Sequence, residues 1–183
     1  MKQLITLCLA VFFIAGTQHT QAQTKEETIQ WLNDYGKKID LSSQKYEEKT
    51  SYNFSGFDGE FLSFKIETID YDSGKILTIQ VQKFKVLPKD ILFQEISILD
   101  KNAFILKAKS GTIFHSYKGE SKHNNYRAPK IDGKSEFERK TEDIYFQFNH
   151  EETKDALRLF KAIMHLAKLS GADELPKVTE DTF

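Results

Sequence analysis

Arg158, Lys161, His165 and Lys168 stand at intervals of three, four and three residues, the spacing that gathers side chains on one side of an α-helix. Three of them carry fixed positive charge and the fourth gains charge in acid. Such a stripe could hold a small anionic ligand or an acidic partner, more firmly as pH falls. A cationic edge near a helix C-terminus is also what the helix dipole alone would favour. It is the one patterned run of charge in the chain.

Other chemistries find less. There is no Gly-x-Ser-x-Gly, and Ser116 follows His115 in an alternating segment, which sends the two side chains to opposite faces. His115, His123, His150 and His165 show neither H-x-x-x-H nor H-E-x-x-H spacing and read as surface histidines. Glu60, Glu67, Asp70 and Asp72 supply carboxylates but no pair that spacing selects for glycosidase work. Gly111 and Gly119 are isolated, so no glycine-rich loop opens a helix to cradle phosphate. No metal or cofactor is implied.

The cationic stripe belongs to a closing helix, expected from about Asn149 to Gly171. Asn149 is a good N-cap with Glu152 three residues on, Glu151, Glu152 and Asp155 suit the first turn, and Gly171 suits the C′ position. Ala156, Leu157, Leu159, Phe160, Ile163, Met164, Leu166, Ala167 and Leu169 form a broad apolar band. A first helix is expected over 24–39, opened by the capping box Thr24-Lys25-Glu26-Glu27, with Trp31 and Tyr35 four apart and Trp31 anchoring the helix on the domain.

Between these helices the period is two. A short piece with Phe54 and Phe57 ends in Asp58-Gly59. Strands over 60–70 and 75–86 form the clearest hairpin. Leu62, Phe64, Ile66 and Thr68 share one face of the first, and Leu77, Ile79 and Val81 are expected inward on the second, with Thr78, Gln80 and Gln82 outward. Leu87-Pro88 is a bend. Short strands follow over Phe93–Leu99, Ala103–Lys109, Thr112–Tyr117 and 143–148. Residues 118–142 are strongly polar and read as a long loop, either an insertion or a loop containing an edge strand near Ser135–Lys140. The fold class is α+β: six or seven antiparallel strands in a curved sandwich or barrel, capped by the C-terminal helix, with an extra N-terminal helix.

Lys2, an apolar run from Leu4 to Ala15 and a small residue at Ala22 have the layout of a secretory signal peptide over 1–22, cleaved after Ala22. That run is shorter than the roughly 20 apolar residues a membrane span needs. The single cysteine, Cys8, lies inside the run, with Val11 to Ile14 still to follow, so it is not placed for lipid attachment. The expected mature chain, 23–183, is one domain without cysteine, which excludes disulfides and thiolate chemistry. With 26 basic and 27 acidic residues the chain lacks the excess positive charge of a nucleic-acid binder.

Leu87-Pro88-Lys89-Asp90-Ile91, the meander with its Lys109-Ser110-Gly111 turn, and a last aromatic strand passing into a helix ending Leu-Ala-Lys-Leu-Ser-Gly together resemble bacterial domains of the pleckstrin-homology-like type. The opening Thr-Lys-Glu-Glu-Thr-Ile-x-Trp-Leu is similar to that of small secreted bacterial proteins of uncharacterised function. The resemblance implies a binding or scaffolding module with no catalytic residues. Lipid-headgroup binding does not carry over, because the first hairpin turn is Asp72-Ser73-Gly74-Lys75 rather than a cation cluster. The expected function is a non-catalytic secreted or periplasmic binding module whose partner is an envelope protein or a small anionic ligand. Two alternatives stand beside it: a carrier with a cavity for a small hydrophobic ligand under the C-terminal helix, and a small envelope hydrolase with an unconventional site.

Overall fold

The computed structural model of the protein describes residues 24–93, 102–121 and 135–175. Helix α1 spans Lys25–Asp34. Its capping box forms as the sequence predicts: the Glu27 N–H donates to Thr24 Oγ1 at 3.2 Å, and the Thr24 N–H donates to Glu27 Oε2 at 2.8 Å. The helix stops short of the expected residue 39, because Gly36–Lys38 tighten into a 3-10 turn.

Eight strands follow among the described residues: β1 Asp40–Lys45, β2 Glu48–Phe57, β3 Leu62–Asp72, β4 Lys75–Val86, β5 Ala103–Lys107, β6 Ile113–Ser121, β7 Ser135–Thr141 and β8 Asp143–Gln147. Six of them form one antiparallel sheet in the order β1-β2-β3-β4-β6-β7, and β5 pairs with β8 in a second. Helix α2, Thr153–Leu169, closes the chain. The α+β class, the antiparallel strands and the C-terminal helix are as expected. A closed barrel is not: β1 and β7 are the two edges of the large sheet.

Two strand expectations change, and a third falls outside the described residues. The strand read over Phe93–Leu99 lies outside the described residues beyond Phe93. The polar stretch 118–142 is not loop at its ends, since β6 runs on to Ser121 and β7 pairs with it from Ser135 to Thr141, the edge strand the sequence offered as one alternative. Strand β1 was not foreseen. Asp-Leu-Ser-Ser-Gln-Lys has a single apolar residue, and it becomes a strand by pairing with β2 from Asp40↔Asn53 to Lys45↔Glu48.

The hairpin β3–β4 forms in the expected place, but the inward face of β4 is the other one. Leu62 pairs with Val86 and Phe64 with Phe84, all four buried, so the even-numbered residues of β4 face the core. Gln82 and Gln80 therefore share the inner face, while Val81 and Ile79 lie half-buried on the outer face and Leu77 falls at a register shift. With side chains alternating at period two, Phe84 and Val86 fix the phase for the whole strand.

The two sheets and α2 meet in one aromatic core. Phe160 of α2 stacks on Phe104 of β5 at 4.0 Å and meets Phe146 of β8 at 5.0 Å, and Phe146 reaches Phe64 of β3 at 5.6 Å. Ala156, Leu159, Ile163, Leu166 and Ala167 complete the buried side of α2. At its end, Gly171 takes φ 81° and the Ala172 N–H returns to the Ala167 carbonyl at 3.0 Å, the left-handed cap expected there.

Candidate functional site

The exposed side of α2 faces α1 across a groove of about 450 Å³ lined by Trp31, Arg158, Lys161, Ala162 and His165. Each wall follows from local pattern. On α2, Arg158, Lys161 and His165 occupy successive turns opposite the apolar band, so burying Leu159, Ile163 and Leu166 leaves them on the wet edge. On α1, Leu32 and Thr28 are buried, which brings the neighbouring Trp31 half-out, packed on the core by one side and on the groove by the other.

A second depression of about 360 Å³ continues past Trp31 and Arg158 and is lined by Tyr35, Lys38, Ile39, Asp40 and Asp155. Tyr35 lies 6.4 Å from Trp31 ring to ring, and the Lys38 ammonium sits 5.3 Å over the Tyr35 ring. The groove is thus cationic at the Lys161–His165 end and mixed in charge at the other. Arg158 has only a loose contact with Asp155 at 3.9 Å, both side chains being well exposed. A pair of that kind is worth little, so the guanidinium is available to a ligand.

Three of the four stripe residues meet here. Lys168 does not line the groove. It lies ten residues beyond Arg158, about 15 Å further along the axis, and its ammonium stands 5.4 Å over the Phe93 ring. Phe93 is held there by a bridge to Glu174, on the segment that follows α2.

The position of α1 is set from below. Asn33 donates from Nδ2 to the Phe57 carbonyl at 3.2 Å and accepts the Phe57 N–H at 3.0 Å, so its side chain pairs with β2 as a neighbouring strand would. This happens at a bulge in β2, where Gly56 has φ 119°, a backbone conformation that residues with a Cβ rarely adopt.

His115 departs from its expected place on the surface. It is 3% exposed, stacked on Phe84 at 4.3 Å, and accepts a hydrogen bond at Nδ1 from Arg139 Nε at 3.0 Å. Burial, and then the Arg139 charge, hold its pKa below the ordinary imidazole value. Ser116 lies on the opposite face of β6, away from this imidazole. Among the described residues no group of three or more His, Cys, Asp or Glu side chains converges as a metal would require. Beneath α2, Phe160, Ile163 and Leu166 are buried, and Phe160 packs against Phe104 and Phe146.

No family model matches the chain, and no curated protein or solved structure matches it either.

Proposed function

We propose that the protein is an exported, non-catalytic binding module whose helix–helix groove takes an acidic peptide segment of an envelope partner. The observation that carries this is the juxtaposition of the half-buried Trp31 indole with Arg158, Lys161 and His165 in one groove. An indole face beside fixed cations suits a segment that offers an apolar side chain and carboxylates together. The two depressions share Trp31 and Arg158 and so make an elongated site, which fits an extended peptide better than a compact solute. The layout of an antiparallel sheet with a C-terminal helix is compatible with the binding or scaffolding role that the pleckstrin-homology-like resemblance implies. Residues 1–22 supply the export signal. No helix among the described residues is long and apolar enough to cross a membrane.

Trp31 is the chain's only tryptophan, so its emission reports the groove directly. Titration with a short synthetic peptide of alternating Glu and Leu should shift and saturate that emission. The double variant Arg158→Glu/Lys161→Glu should weaken binding at least about tenfold, the effect of losing about 1.4 kcal/mol. Lys168→Glu, which changes net charge without touching the groove, should change it little. Equal loss in the Lys168→Glu control would mean that overall charge, and not this groove, reads the peptide.

A further inference from the structure

Strand β7 ends the large sheet, and only one of its edges is used. That edge pairs with β6 along the whole strand, from Gly119↔Ser135 to Ile113↔Thr141. Among the described residues no strand pairs with the other edge, and no turn, loop or helix end bonds to its backbone. The far side of the sheet differs. There both the N–H and the carbonyl of Ser42 in β1 are occupied, by the Glu152 carboxylate and the Asn149 N–H. An edge with open N–H and C=O groups is a template for a further strand.

The side chains of β7 decide which strand that could be. Glu136, Glu138, Arg139 and Lys140 are exposed and carry two charges of each sign, yet none joins an ion pair among the described residues. Arg139 donates to His115 and lies 5.4 Å over the Phe137 ring, and Lys140 stands 5.3 Å over Phe114. Charge on an edge usually repels a second strand. Here its order does the reverse for another β7 running antiparallel. With Glu138 opposite its own image on a two-fold axis normal to the sheet, Glu136 of each copy faces Lys140 of the other. On the other face of the strand, Phe137 faces Arg139 in the same way. Each favourable contact occurs twice, and the one unfavourable contact is Glu138 against Glu138. A slip of two residues, the smallest that keeps both inner faces on one side, removes this match. Centred on Phe137 it sets Glu136 against Glu138 twice, and centred on Arg139 it sets Glu136 against Glu142 twice.

We infer that β7 is a self-association edge, through which two copies of the chain join their six-stranded sheets into one. The contact is isologous, so it closes at the dimer. None of these residues lines the helix–helix groove, so the dimer stands independently of what that groove binds. Seven residues from each copy make an interface at the small end of the specific range, and a Kd of about 0.1 mM fits its size.

Sedimentation velocity of the chain 23–183 from about 5 µM to about 1 mM should show a monomer–dimer equilibrium near that Kd, weaker as salt rises. Glu136→Lys sets two lysines against each other twice per dimer, and Lys140→Glu does the same with two glutamates. Each alone should weaken the dimer at least about tenfold. Mixed in equal amounts, these two variants should pair with each other about as tightly as wild type, because each supplies the charge the other lacks. The double variant Glu136→Lys/Lys140→Glu should likewise recover the dimer, and Glu138→Gln, which relieves the repulsion on the axis, should tighten it several-fold. All these side chains are exposed, and circular dichroism should show every variant folded. A chain that stays monomeric throughout, a dimer indifferent to both single variants, or single variants that fail to pair on mixing would each overturn the inference.

Discussion

His115 couples three facts at the scale of one residue: burial, a neighbouring guanidinium and a bare Nδ1. Because its pKa is lowered by burial and by Arg139, the folded chain resists protonation that the unfolded chain accepts near pH 6.5. The sign follows directly. The unfolded state binds more protons between the two values, so the contribution of His115 is fully present above about pH 6.5 and is lost as pH falls through the folded value. Its slope is at most about 1.4 kcal/mol per pH unit. Urea denaturation between about pH 7 and pH 5 should therefore show wild type losing stability more steeply than His115→Gln, which keeps an acceptor and cannot titrate. Other histidines are common to both chains, so parallel slopes would sink the claim. This residue was hidden in the sequence. An imidazole at an alternating position has the same signature buried or exposed, and Arg139 lies 24 positions away in a stretch read as polar loop. The stripe on α2 was legible because helical periodicity is local. That Trp31 would face it and Lys168 would not depended on where α1 and Phe93 pack.

At the scale of elements, the junction of β1 and α2 rests on one carboxylate. Glu152 accepts the Ser42 N–H at 2.7 Å, the Ser42 hydroxyl at 2.8 Å and the Asn149 N–H at 3.3 Å. It thus ties an edge strand of poor apolar content to the start of the closing helix, while the Asn149 N–H also reaches the Ser42 carbonyl at 2.8 Å. Hydrogen bonds to a charged acceptor contribute about 1.5–3 kcal/mol. Glu152→Ala should then cost about 2 kcal/mol, or about 4–8 °C in Tm. Glu151→Ala removes a neighbouring exposed acid near the same helix start and should cost about 0.5 kcal/mol, the value of a dipole interaction alone. If the two variants melt together, the clamp has no special role. Spacing marks Glu152 as a capping partner for Asn149, which is half of what it does. The other half joins residues 110 positions apart and could not be read from spacing. The face of β4 is hidden in the sequence for a different reason. Its apolar phase changes between Val81 and Phe84 without an intervening turn, so one half of the strand had to be wet. The longer apolar run, Leu77-x-Ile79-x-Val81, was the wrong half to trust.

At the scale of the whole molecule, the export proposal and the folded domain meet at Thr24. Cleavage after Ala22 leaves Gln23 immediately before the residue that caps α1. The Thr24 hydroxyl and the Glu27 carboxylate satisfy one N–H each at this helix start, and α1 carries Trp31 into the groove. A cut two residues later would remove Thr24 and with it both bonds of the capping box, at about 1 kcal/mol. It would also loosen the element that holds the indole against Arg158 and Lys161. Mass spectrometry of exported protein should therefore give Gln23 as the first residue. A chain begun at Gln23 should match the exported form in Tm, and one begun at Lys25 should melt lower and give weaker peptide-induced change in Trp31 emission. Intact Met1 on membrane-bound protein would overturn the cleavage. Equal stability and equal emission change in the chain begun at Lys25 would show that the start of α1 does not position the groove.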